Sequence, residues 1–220
     1  MLISPADHLV ADGESLRKTI TVARPLAEAG HLVTFGVSPN TPETGYGYIR
    51  RGGAINGGPG YKVAEFVEKP DIQHARDYLS SGDFLWNSGM FLFSTAAYLA
   101  ELNRRRPDML NACRTALAEA AAETDFLRLA EAPFTDIDGD SIDCAVMERC
   151  ERAAVVPIEV GWSDVGSWRA LWKAGARDDA DNLVEGDVIA KNCSQSYIRS
   201  DGPPVSYTHL RAHETDSYLV

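Results

Sequence analysis

GESLRKTITVARPLAEAGHLVTFGV, residues 13–37, changes its apolar period once, and that change decides the fold class. From Gly13 to Ala29 the apolar residues recur at helical spacing, with Pro25 as an interruption and Gly30 as a C-terminal stop. His31 to Val37 then reads as a strand. Upstream, Met1 to Ser4 reads as the last turn of a buried strand, and Pro5-Ala-Asp7-His8 as a loop. Downstream, Pro39, Pro42, Gly45 and Gly47 mark a loop before two extended stretches, Tyr48 to Arg50 and Tyr61 to Val67. Helices are expected over Asp71 to Leu79, Ser94 to Leu102, Pro107 to Glu123 and Ser141 to Arg149, and another opens at Ser167. Strands are expected at Met90 to Phe93 and at Ala153 to Ile158. Strands alternating with helices of this length predict an α/β fold with a mainly parallel sheet.

With 220 residues, the chain is long enough for one domain and an appendage. A formal net charge of −11 argues against nucleic acid or an anionic membrane as partner, since both need a basic footprint. It leaves room for a phosphorylated substrate, because a metal ion can bridge carboxylates to phosphates. No run of residues reaches the ~20 apolar positions of a membrane span. Cys113, Cys144, Cys150 and Cys193 form neither a C-x-x-C nor a zinc pattern, so they read as reduced thiols of a cytoplasmic protein.

Asp7 follows a strand end and Asp164 lies between a strand and a helix. Each alone is more often a turn or cap residue. Together, two strand-end carboxylates far apart in sequence are what a Mg²⁺ site requires, since that ion completes its shell with water and phosphate oxygens. Glu68 and Lys69 emerge at the end of Glu65-Phe-Val-Glu-Lys-Pro70, a strand expected to be covered on both faces. The carboxylate suits sugar hydroxyls and the ammonium suits phosphate; a surface ion pair is the alternative. Asn87, in Trp86-Asn-Ser-Gly-Met-Phe91, suits vicinal hydroxyls, or belongs to a turn ahead of the strand. Gly45-Tyr-Gly47 lacks the last glycine of a dinucleotide fingerprint and enters an extended segment; its glycines permit close backbone approach or serve a turn. Arg104-Arg105-Arg106 reads as a solvated helix end, and Trp162, Trp168 and Trp172 as core. No motif supports a protein nucleophile.

Phe66-Val-Glu-Lys-Pro70, Trp86-Asn-Ser-Gly-Met-Phe91, Ser141-Ile-Asp143 with Val146-Met-Glu148, and Gly161-Trp-Ser-Asp-Val-Gly-Ser-Trp168 resemble the mannose-1-phosphate guanylyltransferase family. The likeness is to its bacterial long form, which in many members carries a phosphomannose-isomerase cupin domain. The resemblance covers about residues 2–204 and implies a Rossmann-like (GT-A-like) nucleotidyltransferase fold. It also implies transfer from GTP to mannose 1-phosphate, giving GDP-mannose and pyrophosphate. By that resemblance Asp7 and Asp164 hold Mg²⁺, Glu68 and Lys69 meet the sugar and its phosphate, and Gly47 and Asn87 line the mannose pocket. Asp143 is implied as a further pocket residue, or is an early-helix acidic residue.

The family's G-x-G-x-R-x-x-P loop, expected upstream of Pro-Ala-Asp-His, is not in this sequence, nor is a cupin. Residues 1–180 are therefore expected to form a transferase domain truncated at its N-terminus, and 181–204 the start of a linker. Val205 to Val220 resemble translated sequencing adapter and are expected to be a non-native read-through tail. The chain alone is expected not to turn over; a non-catalytic sugar-phosphate or partner-binding stub is the alternative. Uridylyl or thymidylyl transfer to glucose 1-phosphate is the second enzyme reading, and a homo-oligomer of the intact enzyme is left open.

Overall fold

A computed structural model describes residues 1–203 and 205–208, which divide into two compact units. The first unit holds Met1–Ala6 and Val10–Trp162. Its centre is a six-stranded sheet in the order Leu2–Ile3, Phe84–Leu92, Leu32–Val37, Ala153–Ile158, Tyr61–Val67, Tyr48–Ala54; Phe84–Leu92 also pairs with Tyr48–Ala54.

Within this sheet only Leu32–Val37 and Ala153–Ile158 run parallel, from Leu32↔Ala153 to Val37↔Ile158. Every other pairing in it is antiparallel, which corrects the expectation of a mainly parallel sheet while leaving the α/β class intact. The physical reason lies in the connections. The Gly-rich stretch between Tyr48–Ala54 and Tyr61–Val67 is too short for a crossover helix, so the two strands form a hairpin.

Period two along the central strands sorts their side chains into two cores. Leu32, Ala153, Val155, Phe91 and Phe93 pack with Leu102, Leu110 and Met147 on one face. Val33, Phe35, Ala154, Val156 and Met90 pack with Ala23 and Ala27 of the Gly13–Glu28 helix on the other. A sheet covered on both faces explains why Leu32–Val37 and Ala153–Ile158 read as nearly unbroken apolar runs. The Tyr61–Val67 strand departs from that expectation: Phe66 is buried, but Lys62, Ala64 and Glu65 face solvent. Leu2 and Ile3, expected buried, are exposed and pair with Leu92 and Phe91 at the sheet edge.

The helix signals hold at their starts. Asp71 accepts from the Gln73 and His74 amides and Ser94 from Ala97, and Asp12, which the sequence reading did not single out, caps the first helix by accepting from Glu14 and Ser15. Gly30 and Gly82 stop two helices with φ of 86° and 72°, a region costly for other residues. Ends are less regular: Pro107–Ala118 stops before Glu123, and Ser141 caps only Ile142–Ala145, with a 3₁₀ turn at Met147–Arg149.

The second unit holds Asp7–Leu9 and the chain from Ser163. Ser167 caps the Trp168–Ala174 helix, and two parallel ladders follow: Leu183–Glu185 with Tyr197–Arg199, and Val188–Lys191 with Val205–Thr208. The tail expected from Val205 to Val220 lies, beyond Thr208, outside the described residues. All four cysteines are free. Among the described residues no helix is long and apolar enough to cross a membrane.

Candidate functional site

In the first unit four of the expected residues converge. Gly47 is buried at the start of Tyr48–Ala54, and its carbonyl accepts the Asn87 backbone N–H at 2.8 Å. A Cβ on Gly47 would lie 2.5 Å from Glu68 Oε2 and 3.2 Å from Asn87 Cβ, so only glycine leaves the carboxylate where it is. The close approach at Gly47 in the structure is to the Glu68 and Asn87 side chains.

Asn87 is not in a turn ahead of the strand. The strand runs Phe84–Leu92, longer than expected, and Asn87-Ser-Gly89 sits inside it, with Gly89 at φ 70°. The register on Leu32–Val37 shifts here, between Thr34↔Phe91 and Gly36↔Asn87. Such a bulge re-aims a side chain out of the ladder. Asn87 Nδ2 donates to Asp143 Oδ1 at 2.8 Å, while its Oδ1 accepts from Thr34 Oγ1 at 3.1 Å and the Gly89 amide at 3.2 Å.

Asp143 stands in the first turn of Ile142–Ala145, placed by the Ser141 cap. Arg104 is exposed, as its reading as a solvated end requires, whereas Arg105 and Arg106 are half-buried and correct that reading. Arg106 donates to the Asp138 carbonyl at 2.9 Å and pairs with Asp140 at 3.3 Å, and Arg105 donates to the Arg149 carbonyl. They fasten the segment that carries Asp143.

Two carboxylates thus share a desolvated pocket. Burial, then the charge of Asp143, pushes the Glu68 carboxyl above the usual range; Lys69 opposes this from 3.8 Å. Burial also raises Asp143, and the Asn87 donor pulls it back. Glu68 Oε2 is buried and among the described residues has no hydrogen-bond partner. A buried acceptor left unpaired costs on the order of 1–3 kcal/mol, which a ligand hydroxyl would offset. Lys69, exposed and at φ 48°, lies beside it.

The two aspartates belong to the second unit. Asp7 is exposed, and Asp164 is half-buried ahead of Val165, which has a φ of 50°. A Cβ on Gly166 would lie 2.6 Å from Asp164 Oδ2, so the missing side chain leaves room for that carboxylate. Among the described residues no three metal-ligating side chains gather. Two hard oxygen donors nevertheless match an ion that takes one or two carboxylates and fills its shell with phosphate and water.

Of the three tryptophans expected in the core, Trp162 is half-buried against Tyr46, with ring centroids 5.3 Å apart. Trp172 is half-buried and donates to the Asp181 carbonyl at 2.9 Å. Trp168 is 76% exposed, contrary to expectation, because it opens a helix with no buried residue. Sequence reasoning missed Thr34. The signal was present: a hydroxyl residue in the middle of an otherwise apolar strand.

The family model described as Nucleotidyl transferase matches residues 1–181. A mannose-1-phosphate guanylyltransferase of Salmonella montevideo is 47% identical over 206 residues, 91% of this chain and 44% of that protein. One from Escherichia coli K12 is 47% identical over 204 residues, 91% of this chain and 43% of its own. The chain therefore spans less than half the length of these curated relatives. Among solved structures, a Thermus thermophilus protein described as mannose-1-phosphate geranyltransferase superposes with a TM-score of 0.81 at 35% identity, covering 94% of this chain and 59% of that one. A Helicobacter pylori protein described as mannose-6-phosphate isomerase gives 0.67 at 34% identity, covering 74% and 62%. With the family model taking in most of its length, the chain belongs to the nucleotidyl transferase family.

Proposed function

We propose that the chain carries the sugar-phosphate site of a mannose-1-phosphate guanylyltransferase, the activity named for its relatives of 47% identity. The observation that carries the reading is the pocket of Gly47, Glu68, Asn87 and Asp143, with a buried carboxylate oxygen that has no hydrogen-bond partner among the described residues. Glu68 accepts from ring hydroxyls, Asn87 donates to them, and Gly47 keeps the space between them open. The Lys69 ammonium offsets the charge of the sugar phosphate.

In the reaction a phosphate oxygen of mannose 1-phosphate attacks the α-phosphorus of GTP. The new bond joins that oxygen to the α-phosphorus, the bond from the α-phosphorus to the bridging oxygen breaks, and pyrophosphate leaves. The nucleophile comes with the substrate, so the protein's task is to orient and neutralise two anions. Asp7 and Asp164 would hold Mg²⁺, which when bound supplies positive charge to the phosphates. Four free thiols suit a reducing, cytoplasmic setting.

Titration of the chain with mannose 1-phosphate, followed by calorimetry, tests the site. Saturable binding that Glu68→Ala abolishes is expected. Absence of binding by the unsubstituted chain overturns the reading.

A further inference from the structure

Thr34 is fully buried in Leu32–Val37, between Val33 and Phe35, both core residues. Burying a hydroxyl in such a strand is costly unless it is hydrogen-bonded, and this one is. Its O–H lies 3.1 Å from Asn87 Oδ1 and 3.2 Å from the Met90 carbonyl. Asn87 Oδ1 also receives the Gly89 amide, and Nδ2 gives one hydrogen to Asp143. The opposite amide orientation would set Nδ2 against the Gly89 N–H and a carbonyl oxygen against the Asp143 carboxylate. One Nδ2 hydrogen therefore remains, on the group that a Cβ at Gly47 would approach to 3.6 Å.

We propose that Thr34 is a positioning residue: by holding Asn87 Oδ1 from the neighbouring strand, it aims the spare Asn87 N–H at a hydroxyl of the bound sugar. Thr34 reaches no ligand itself; it acts through Asn87. The inference rests on the sugar-phosphate reading of the pocket. It adds that hydroxyl discrimination is set in part by a buried residue of the neighbouring strand, one residue removed from the ligand.

The experiment uses the described chain and its Thr34→Val and Thr34→Ser variants. Mannose 1-phosphate and its 2-epimer, glucose 1-phosphate, are titrated by calorimetry, and the Asp143 carboxyl is titrated by carbon NMR without ligand. Thr34→Val should weaken mannose 1-phosphate about tenfold, the size of one net hydrogen bond, and shrink the preference over glucose 1-phosphate by a similar factor. It should also move the Asp143 titration upward, because a freely turning amide no longer donates to that carboxylate. Thr34→Ser should restore both. Affinity, preference and Asp143 titration unchanged in Thr34→Val would overturn the proposal, as would a Thr34→Ser variant no better than Val. If the unsubstituted chain binds neither sugar phosphate, the site reading falls. The ligand-free Asp143 titration then still decides whether Thr34 orients Asn87.

Discussion

In the unit that holds the sheet, neighbouring residues of Leu32–Val37 enter two different cores, and most of the strand is fully enclosed. In the unit from Ser163 onward, the ladders are three or four residues long. There Asn182, Leu183 and Ile198 are the buried residues among those described. The first unit is held by apolar area spread over many buried side chains. The second turns on a polar centre. Asn182 gives its backbone N–H and Nδ2 to Asp178, gives Nδ2 to the Cys193 carbonyl, and accepts the Ser196 amide. In the second unit the sharp single substitutions should therefore be polar or backbone ones, while ligand effects belong to the first.

The largest expected effect is Gly186→Ala. A Cβ there would lie 1.9 Å from the Ser200 carbonyl oxygen, at a φ of 86°. Backbone against backbone cannot yield cheaply, and a loss of about 3–4 kcal/mol is expected. Hydrogen exchange should show Leu183–Glu185 and Tyr197–Arg199 unprotected while the sheet amides stay protected. Sheet amides that open to the same extent would sink the contrast. Asn182→Ala comes next, at about 2–3 kcal/mol, since it strands the Ser196 amide and the Cys193 carbonyl. Urea unfolding measures it.

Gly47→Ala inverts the pattern. Its Cβ meets the movable end of Glu68 and not backbone, so stability should change by less than about 1 kcal/mol. Mannose 1-phosphate affinity should fall by more than about tenfold, because the displaced carboxylate no longer offers its free oxygen. A pH series follows from Asp143. Its carboxyl is raised in the folded chain, first by burial, so the folded state holds the proton more tightly than the unfolded one. Stability is then lost as pH rises from the ordinary carboxylate value through the raised one. Asp143→Asn should flatten that decline, and an unchanged slope in a urea–pH series would count against the burial argument. The smallest effect is expected at Trp168→Ala, within about 0.5 kcal/mol, as its ring is mostly in solvent.

Much of this was legible beforehand because short-range physics decides it. The caps at Asp71, Ser94 and Ser141 and the stop at Gly30 depend on a turn of chain and came out as read. Strand direction did not, since it depends on which distant segment arrives alongside. Asn87 looked like a turn residue because Asn-Ser-Gly is turn chemistry; a bulge inside a strand uses the same chemistry. Glu68 and Lys69 were singled out by their place at a strand end, and Asp143 by resemblance; the structure brings the Glu68 and Asp143 carboxyls into one pocket. Thr34 passed unnoticed, and Arg105 and Arg106 were read as solvated, because their partners lie 30 or more residues away.

The parallel pair at the middle of the sheet also orders events in time. His31 and the Arg152 carbonyl, bonded at the mouth of that pair, are separated by 121 residues. Closing so long a loop is entropically slow, and on a ribosome the second strand emerges only after most of the unit has been made. Until then Leu32–Val37 must wait with an open edge beside Phe84–Leu92. That interval, more than the finished fold, is when this chain is exposed to pairing with another copy of itself.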